Sequence, residues 1–411
     1  MTRRVVITGM GTVNACGNTV AETWDNISNG RSGIGPITGF DPTNFAVKIA
    51  AEVKKTFDPT QYMDFKEVRR TDRYQHMAIA AAKQALAQSG FTVKEENAER
   101  VAVIVSSAIG GCKAFEDGVR TLDASGPRRV DVFFIPKLMS NGAGGLIGIQ
   151  TGARGPNFSV ASACASGQDG IGQAWQMIRY GVCDAAITGA SEASLIEIGI
   201  AAFDRTSAMT HRTEGVPQPF DKDRDGLVMG EGAAILILEE LEQAKARGAV
   251  ILAELAGYAA TSDAFHITAP SDTGLPGSHA MRTALEAARL NVSEVSYINA
   301  HGTGTVLNDA AETMSIKRAL GDYAYQTPVS STKSMTGHMM GATGALETVL
   351  CVQAIQHNVL PPTINYHTPD PACDLDYIPN TARETQVNVC MSNAFGFGGH
   401  NSVLVIKRFT D

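Results

Sequence analysis

Residues 160–167 read Val160-Ala-Ser-Ala-Cys164-Ala-Ser-Gly167, a run of apolar and small side chains that contains one thiol. Beyond it, apolar residues recur at the three- and four-residue spacing of a helix, at Ile171, Ala174, Trp175 and Ile178. The run predicts a buried strand that ends at Cys164, and the spacing predicts a helix that begins there. Because unpaired N–H groups and the macrodipole at a helix N-terminus favour thiolate over thiol, we expect Cys164 to be a nucleophile. A buried structural cysteine is the alternative.

The rest of the chain alternates in the same way between short β-rich apolar runs and helical patterns. The predicted strands are Val5–Gly9, Val101–Ser106, Ala185–Gly189, Ala233–Leu238, Ile251–Leu255, Val295–Asn299, Val387–Met391 and Val403–Lys407. The predicted helices are Gln75–Ser89, Glu240–Arg247, Gly277–Leu290 and Thr343–Gln356. Such alternation predicts an α/β fold with largely buried sheets.

Two similar halves are predicted by the order of these elements. Each half contains a strand that enters a glycine-rich turn, followed by a helix that would pack beneath the strand. The strand at Ile251–Leu255 restarts this order after the helix at Glu240–Arg247. We therefore expect two α/β units, residues 1–250 with the nucleophile and residues 251–411 with two candidate histidines. A single long α/β domain is the alternative.

Bulk composition narrows the class of protein. The 411 residues are 44% hydrophobic and 18% charged, which is typical of a packed globular protein. The net charge of −8 argues against a general nucleic-acid binder. No apolar run approaches the about 20 residues that a membrane span needs, and no secretory signal precedes the first predicted strand. The seven cysteines are scattered without a CxxC pair, as expected for free thiols in a reducing cytosol. We expect a cytoplasmic enzyme.

Two histidines lie in glycine-rich stretches downstream. His301 belongs to Tyr297-Ile-Asn-Ala-His301-Gly-Thr-Gly-Thr305, where a strand runs into a tight turn. His338 belongs to Lys333-Ser-Met-Thr-Gly-His338, just before the predicted helix at residue 343. A helix N-terminus lowers an imidazole pKa, so we expect a neutral His338 that donates an N–H to a developing oxyanion. A satisfied core histidine is the alternative for either one alone. Their long separation from Cys164 argues against a metal site made of the three.

The last glycine-rich turn is Ser392-Asn-Ala-Phe-Gly-Phe397-Gly-Gly-His400-Asn401. Glycines on both sides of Phe397 predict either a mobile aromatic gate or a backbone N–H donor for an oxyanion. A plain loop between two strands is the alternative.

Taken together, four motifs resemble those of the β-ketoacyl-[acyl-carrier-protein] synthases of the thiolase superfamily, most closely the type II enzymes (KAS II). They are Ala163-Cys164-Ala165, His301-Gly-Thr-Gly-Thr305, Lys333-Ser-Met-Thr-Gly-His338 and Gly396-Phe-Gly-Gly399. The resemblance extends over the whole chain. It implies the thiolase fold, in which duplicated halves form a five-layered αβαβα sandwich, and a homodimer.

The resemblance also implies a condensing enzyme of fatty-acid elongation. Cys164 would take an acyl chain from acyl carrier protein (ACP), and malonyl-ACP would then lose CO2 and attack the acyl thioester to give 3-oxoacyl-ACP. It assigns decarboxylation to His301 and His338, and an oxyanion hole to the N–H groups of Cys164 and Phe397. Lys333 would order the site together with Glu347. No cofactor is required by this chemistry.

Further residues match the family by position. The substrate-binding positions implied are Ile109, Thr268, Thr303 and Thr305. The ACP-binding positions implied are Lys66, Arg69, Arg70, Arg128, Arg129 and Arg205. A structural monovalent cation, held in some relatives, would lie at Asn299, Glu347, Ser392 and Asn393.

Alternative functions remain open from the residues. A ketosynthase of polyketide or specialised lipid synthesis would use the same chemistry, and the Gly-Thr-Gly-Thr turn also occurs there. A non-elongating partner subunit normally lacks the nucleophile, so Cys164 argues against it. A Cys–His hydrolase leaves Lys333 and the second histidine without a task. A degradative thiolase would need a second cysteine in place of His338.

Overall fold

A computed structural model describes residues 2–411, which contain fourteen strands and thirteen α-helices. The strands are β1 (Val5–Asn14), β2 (Gly35–Pro36), β3 (Ile49–Ala50), β4 (Val101–Ser106), β5 (Asn157–Phe158), β6 (Ala185–Glu192), β7 (Gly232–Glu240), β8 (Ala253–Ser262), β9 (Tyr297–Asn299), β10 (Val329–Ser330), β11 (Val359–Leu360), β12 (Arg383–Glu384), β13 (Val389–Gly396) and β14 (His400–Lys407). Ten of them form one sheet, and the other four form two small ribbons.

The helices differ in length from one turn to more than four. They are α1 (Val20–Ser28), α2 (Phe65–Arg70), α3 (Arg73–Ser89), α4 (Cys112–Ser125), α5 (Phe134–Leu138), α6 (Gly142–Thr151), α7 (Ser166–Arg179), α8 (Glu197–Asp204), α9 (Leu241–Ala246), α10 (Leu275–Ala288), α11 (Val306–Leu320), α12 (Lys333–Thr336) and α13 (Thr343–His357). Across residues 2–411, none of the helices is both long enough and apolar enough to span a bilayer.

The sheet is built from two copies of one strand pattern. Its order is β10-β9-β13-β14-β8-β1-β7-β6-β4-β5, so β8 and β1 lie side by side at the centre. In the first half, β1 pairs antiparallel with β7 and β7 with β6, whereas β6–β4 and β4–β5 are parallel. In the second half, β8 pairs antiparallel with β14 and β14 with β13, whereas β13–β9 and β9–β10 are parallel. The duplication predicted from the sequence is therefore present in the topology.

Helices cover both faces of each half-sheet. The first half-sheet has α3 packed on its outer face, and the second has α10 and α11. Between the half-sheets, α7 and α13 share one core with strands from both. The predicted five-layered αβαβα sandwich of the thiolase fold is confirmed. Because α7 and α13 face each other, the turns that precede them meet at one place.

Most predicted elements are present with shifted ends, but the predicted strand into Cys164 is wrong. Only Asn157–Phe158 pairs with β4, and the chain then leaves the sheet over residues 159–162. Ala163 adopts a left-handed φ of 51°, which extended backbone does not allow. A short 3₁₀ turn, Ala163–Ala165, carries Cys164, and α7 begins two residues later than predicted, at Ser166.

Candidate active site

A tight turn presents Cys164 at the entrance of α7. The Ser166 hydroxyl accepts a hydrogen bond from the N–H of Ser162 at 2.9 Å and donates one to the carbonyl of Ala163 at 2.6 Å. These two bonds stabilise the left-handed conformation of Ala163, which is costly for a residue with a side chain. The sequence explains the turn locally, because small side chains on either side of Cys164 leave room for the tight backbone.

The fold brings three chemical groups together that lie far apart in sequence. His338 Nε2 is 3.1 Å from Cys164 Sγ, and the rings of His301 and His338 are 5.3 Å apart and nearly perpendicular. One ligand atom from each of these residues lies within 4.8 Å of the others. Distance along the chain therefore does not keep these three residues apart, and the expectation that they hold no metal stays a prediction.

Two opposing effects act on the Cys164 thiol. The charge of Lys333 and the neighbouring backbone N–H groups of Phe397 and of Cys164 itself lower the thiol pKa. Burial has the larger effect and raises the pKa of Cys164 to about 11. The expectation that the helix N-terminus makes Cys164 a thiolate in the free protein is thus corrected. The donors aimed at the sulfur are instead placed where an oxyanion or thiolate forms during reaction.

The high thiol pKa predicts a steep pH profile for alkylation. Because only the thiolate reacts, the rate at which iodoacetamide modifies Cys164 should rise about tenfold per pH unit and continue to rise above pH 9. Mass spectrometry of the Cys164 peptide measures this rate. A plateau reached below pH 8 would contradict the prediction and restore the helix-activated thiolate.

Both histidines are held neutral. Burial lowers the pKa of His301 and of His338 well below the usual value, and the Lys333 charge lowers both further. The direction agrees with the expectation for His338, but the main cause is burial rather than a helix N-terminus. His338 lies before the 3₁₀ turn Met340–Ala342 that leads into α13. A neutral imidazole can donate one N–H to an oxygen without first losing a proton.

Lys333 is paired with Glu347 inside the protein. Lys333 Nζ donates to Glu347 Oε1 at 2.6 Å, and each side chain is only 1% exposed. Despite this partner, burial raises the pKa of Glu347 to about 7. Lys333 therefore places a positive charge close to both histidines, and the ordering role that the resemblance implied stays a prediction.

A cleft of about 270 Å³ opens onto these groups and is lined by both halves of the chain. Its lining includes Cys164, His301, His338 and the glycine-rich turn at Phe397, called the 397 turn below. The combination of a buried thiol, two neutral imidazoles and two convergent backbone donors supports acyl transfer through a thioester.

Family models match both parts of the chain. Residues 2–244 match the model described as the N-terminal domain of beta-ketoacyl synthase, and residues 252–367 match the model of its C-terminal domain. The chain belongs to the β-ketoacyl synthase family.

Relatives of this synthase extend over its whole length. It is 47% identical to the 3-oxoacyl-[acyl-carrier-protein] synthase 2 of Synechocystis sp., with 99% of this chain and 98% of the relative covered. The crystal structure of a beta-ketoacyl synthase from Burkholderia phymatum is 36% identical with a TM-score of 0.91, over 99% of this chain and 100% of that one. A ketosynthase of a type II PKS, in complex with its acyl-carrier protein, is 34% identical with a TM-score of 0.92, and both chains are covered completely.

The substrate-binding residues implied by the resemblance divide into two groups. Thr268, Thr303 and Thr305 line the cleft of the synthase, and the hydroxyls of Thr303 and Thr305 are 2.9 Å apart. Ile109 does not line this cleft, and its side chain is 41% exposed. The cleft therefore reaches the thiol past hydroxyl groups, and the substrate-binding role implied for Ile109 stays a prediction.

The 397 turn is the hairpin loop between β13 and β14. Gly396 pairs with His400 across its base, and Gly398 and Gly399 have φ values of 87° and 75°. A second loop touches the turn, because Gly398 N donates to the Ile267 carbonyl at 2.6 Å. The Phe397 N–H lowers the pKa of the Cys164 thiol, and both the mobility of Phe397 and its role as an oxyanion donor stay predictions.

Substitution of Gly396 by alanine should displace this turn. A Cβ at residue 396 would lie 2.9 Å from the Ser162 carbonyl oxygen and 3.1 Å from Cys164 N, both backbone atoms that cannot swing away. The Phe397 N–H would then move off Sγ, and we expect acylation to slow about a hundredfold, the effect of losing one oxyanion donor. Rapid-quench acylation of Gly396→Ala measures this. Gly35→Ala, at a position with open space in strand β2, is the control; equal rates for wild type and Gly396→Ala would refute the prediction.

Three buried carboxyl groups support the site and were not predicted. Glu312 accepts the N–H groups of His301 and Gly302 at 2.8 and 2.7 Å, and Asp309 accepts that of Gly304 at 3.2 Å. Asp309 and Glu312 could have been found from the sequence, because they are two acids three residues apart on α11, the helix directly after the His301 turn. Glu192 accepts the N–H of Ala108 at 2.8 Å, and burial raises its pKa to about 7. Nothing local in the sequence distinguishes Glu192.

Six basic side chains match ACP-binding positions. All six are exposed, and none forms an ion pair with another residue within 2–411. Three lie on or at the end of α2, two lie in the 3₁₀ turn 127–129, and one follows α8. They are Lys66, Arg69, Arg70, Arg128, Arg129 and Arg205.

The proposed cation ligands are all buried in the second half. Their side chains are at most 1% exposed, and Ser392 pairs with Asn299 in the β13–β9 register. Three of their oxygens, Asn299 Oδ1, Asn393 Oδ1 and Glu347 Oε2, have no hydrogen-bond partner in the described chain. Because buried polar atoms are rarely left unpaired, this donor set fits a hard cation.

Proposed function

We propose that the synthase is a condensing enzyme of fatty-acid elongation, a 3-oxoacyl-ACP synthase that works through Cys164. The observation that carries the proposal is the thiol in contact with His338 Nε2 and with two backbone N–H donors. The 47% identity to a 3-oxoacyl-[acyl-carrier-protein] synthase 2 supports fatty-acid elongation over polyketide synthesis, for which the solved relative is 34% identical.

In the first half-reaction Cys164 Sγ attacks the thioester carbonyl of an acyl-ACP. The N–H groups of Cys164 and Phe397 stabilise the oxyanion of the tetrahedral intermediate. Collapse breaks the bond to the ACP sulfur, which leaves with the proton of the Cys164 thiol. The acyl chain is then held as a thioester, a good leaving group for the next step.

In the second half-reaction malonyl-ACP enters and loses CO2. The electron pair of the broken bond forms an enolate, whose oxygen accepts N–H hydrogen bonds from neutral His301 and His338. The enolate carbon attacks the acyl-Cys164 carbonyl and releases the thiolate, which takes a proton from water. The product is 3-oxoacyl-ACP, two carbons longer, and no strong base is needed.

The six basic residues named above would receive the acidic surface of ACP. Charge reversal in the double variant Lys66→Glu, Arg69→Glu should raise KM for acyl-ACP about tenfold while kcat stays unchanged, because rim charges act on association. The difference should shrink at high salt. Lys94→Glu, an exposed lysine on another loop, is the control. Equal KM values for the three proteins would contradict this docking face.

A homodimer would cover an apolar face of the first half. Phe115, Leu122, Ile135 and Ile149 are between 45% and 80% exposed on α4, α5 and α6, beside the edge strand β5. Edge strands and exposed apolar patches are usual interaction surfaces. Light scattering of the purified protein gives the mass in solution, and a mass of one chain would overturn this part of the proposal.

A monovalent cation would be held by Asn299, Glu347, Ser392 and Asn393. Its charge would stabilise the buried carboxylates there and would take no part in bond making. Thermal unfolding in potassium against tetramethylammonium salts tests it.

The function itself is tested by elongation with a series of short to long saturated acyl-ACPs and malonyl-ACP. We expect 3-oxoacyl-ACP and CO2 in equal amounts, from saturated acyl chains. Repeated extension of unreduced 3-oxo chains would instead identify a polyketide ketosynthase. Acyl transfer to water alone would identify a hydrolase.

A further inference from the structure

His338 has a polar partner on the side of its ring that faces away from Cys164. His338 Nδ1 lies 3.0 Å from the hydroxyl oxygen of Thr343, the first residue of α13. Both residues are 2% exposed, so water does not compete for this contact. The backbone of His338 is fixed as well, because its N–H donates to Val228 O at 2.7 Å and its carbonyl accepts from Gly230 N at 2.8 Å.

The direction of this hydrogen bond follows from the partners that are available to the Thr343 hydroxyl. Within residues 2–411, Thr343 Oγ1 has no hydrogen-bond partner other than His338 Nδ1. If Nδ1 carried the proton, the hydroxyl hydrogen would be buried without an acceptor, which is costly. If the hydroxyl donates, both groups are satisfied. The Nδ1 atom is then bare, and a neutral ring carries its one proton on Nε2.

The other side of the ring agrees with this assignment. Nε2 faces Cys164 Sγ at 3.1 Å, and the backbone N–H groups of Phe397 and Cys164 also favour negative charge on that sulfur. A site that collects donors around one atom is complementary to negative charge on that atom. An Nε2–H adds a donor that faces the negative charge formed during the reaction, whereas a bare Nε2 could only accept the thiol proton of the free protein.

We propose that Thr343 is a positioning residue that holds His338 in the tautomer with its proton on Nε2, aimed at Cys164 and at the oxygen of the bound thioester. This role rests on the proposed function, because only a reaction that develops negative charge at this point needs the Nε2–H. Thr343 itself touches neither the sulfur nor the substrate.

Three variants separate this role from plain packing. Thr343→Val keeps the shape and removes the hydroxyl, and Thr343→Ser keeps the hydroxyl. Thr348→Ala is the matched control, since Thr348 is equally buried on the same helix and its hydroxyl donates to the Gly344 carbonyl at 2.8 Å.

The first readout is the tautomer of His338, from long-range 1H–15N spectra of the free protein, assigned by comparison with His338→Asn. We expect the Nε2–H pattern in wild type, Thr343→Ser and Thr348→Ala, and a mixture or the Nδ1–H pattern in Thr343→Val. The second readout is decarboxylation of malonyl-ACP, which should fall about tenfold in Thr343→Val, the effect of one hydrogen bond, and recover in Thr343→Ser.

An Nδ1–H pattern in wild type, or an unchanged pattern in Thr343→Val, would overturn the proposal. Equal losses in Thr343→Val and Thr348→Ala with an unchanged pattern would do the same and leave a packing role only. If wild type shows the Nε2–H pattern, lost in Thr343→Val, but condenses no acyl-ACP, the positioning role stands and the proposed function fails.

Discussion

The variant Cys164→Ala should form no 3-oxoacyl-ACP, with a loss of at least about a thousandfold relative to wild type. The reason is that condensation requires the acyl chain to be held on the protein while malonyl-ACP enters, and Cys164 carries the one thiol among the residues that line the cleft. The two histidines and Lys333 are untouched by this change. Decarboxylation of malonyl-ACP should therefore continue, and CO2 should appear without condensation product.

One product ratio and one control variant test this prediction. CO2 release and 3-oxoacyl-ACP are quantified in the same reaction, so that their ratio rises from one in wild type to a large value in the variant. Cys112→Ala removes another partly accessible thiol, at the start of α4, and should keep both activities. Condensation by Cys164→Ala at more than a few per cent of the wild-type rate would show that the acyl chain is held elsewhere.

The second large effect concerns the buried pair of Lys333 and Glu347. Lys333→Met removes the one side chain within residues 2–411 that pairs with a fully buried carboxyl group, and breaking such a pair costs about 3–5 kcal/mol in the free energy of unfolding. The carboxyl group escapes part of this cost by taking up a proton. Its pKa is already raised to about 7 with Lys333 present and should rise further without it.

The pH dependence of this loss follows from the direction of the shift. A carboxyl group whose pKa is raised on folding binds a proton in the folded state that it has released in the unfolded state, so stability falls as pH rises. We therefore expect the deficit of Lys333→Met to be larger at pH 8.5 than at pH 6. Urea unfolding at the two pH values measures it, and equal deficits at both would contradict the argument.

A double variant separates stability from catalysis. Lys333→Met, Glu347→Gln leaves no buried charge at this pair and should recover most of the lost stability. It should not recover decarboxylation, since the positive charge behind His301 and His338 is absent in both variants. If the double variant regained wild-type decarboxylation, Lys333 would act on stability alone.

Local patterns predicted much of the fold. The strand Val101–Ser106 has the bounds that its apolar run predicts, and α3 and α13 differ from their predicted bounds by no more than two residues. Within such segments the apolar period decides which face is buried. The same rule failed at residues 160–164, where small apolar residues serve a turn with a left-handed Ala163 rather than a strand. Small residues are compatible with a strand and with a turn. Only the pairing with β4 shows that the strand ends at Phe158.

By itself the sequence singled out the groups to which we assign the chemistry. Cys164, His301 and His338 stand out because each lies among glycines or small residues, a local requirement of turns that must approach a ligand. The tertiary structure alone decided how these groups act. The 3.1 Å contact, the supporting Glu312 and Thr343, and the neutral state of the histidines depend on which distant segments meet and how completely they exclude water. Burial and charge act through space, so their effect on a thiol or an imidazole follows from the packed neighbours rather than from position along the chain.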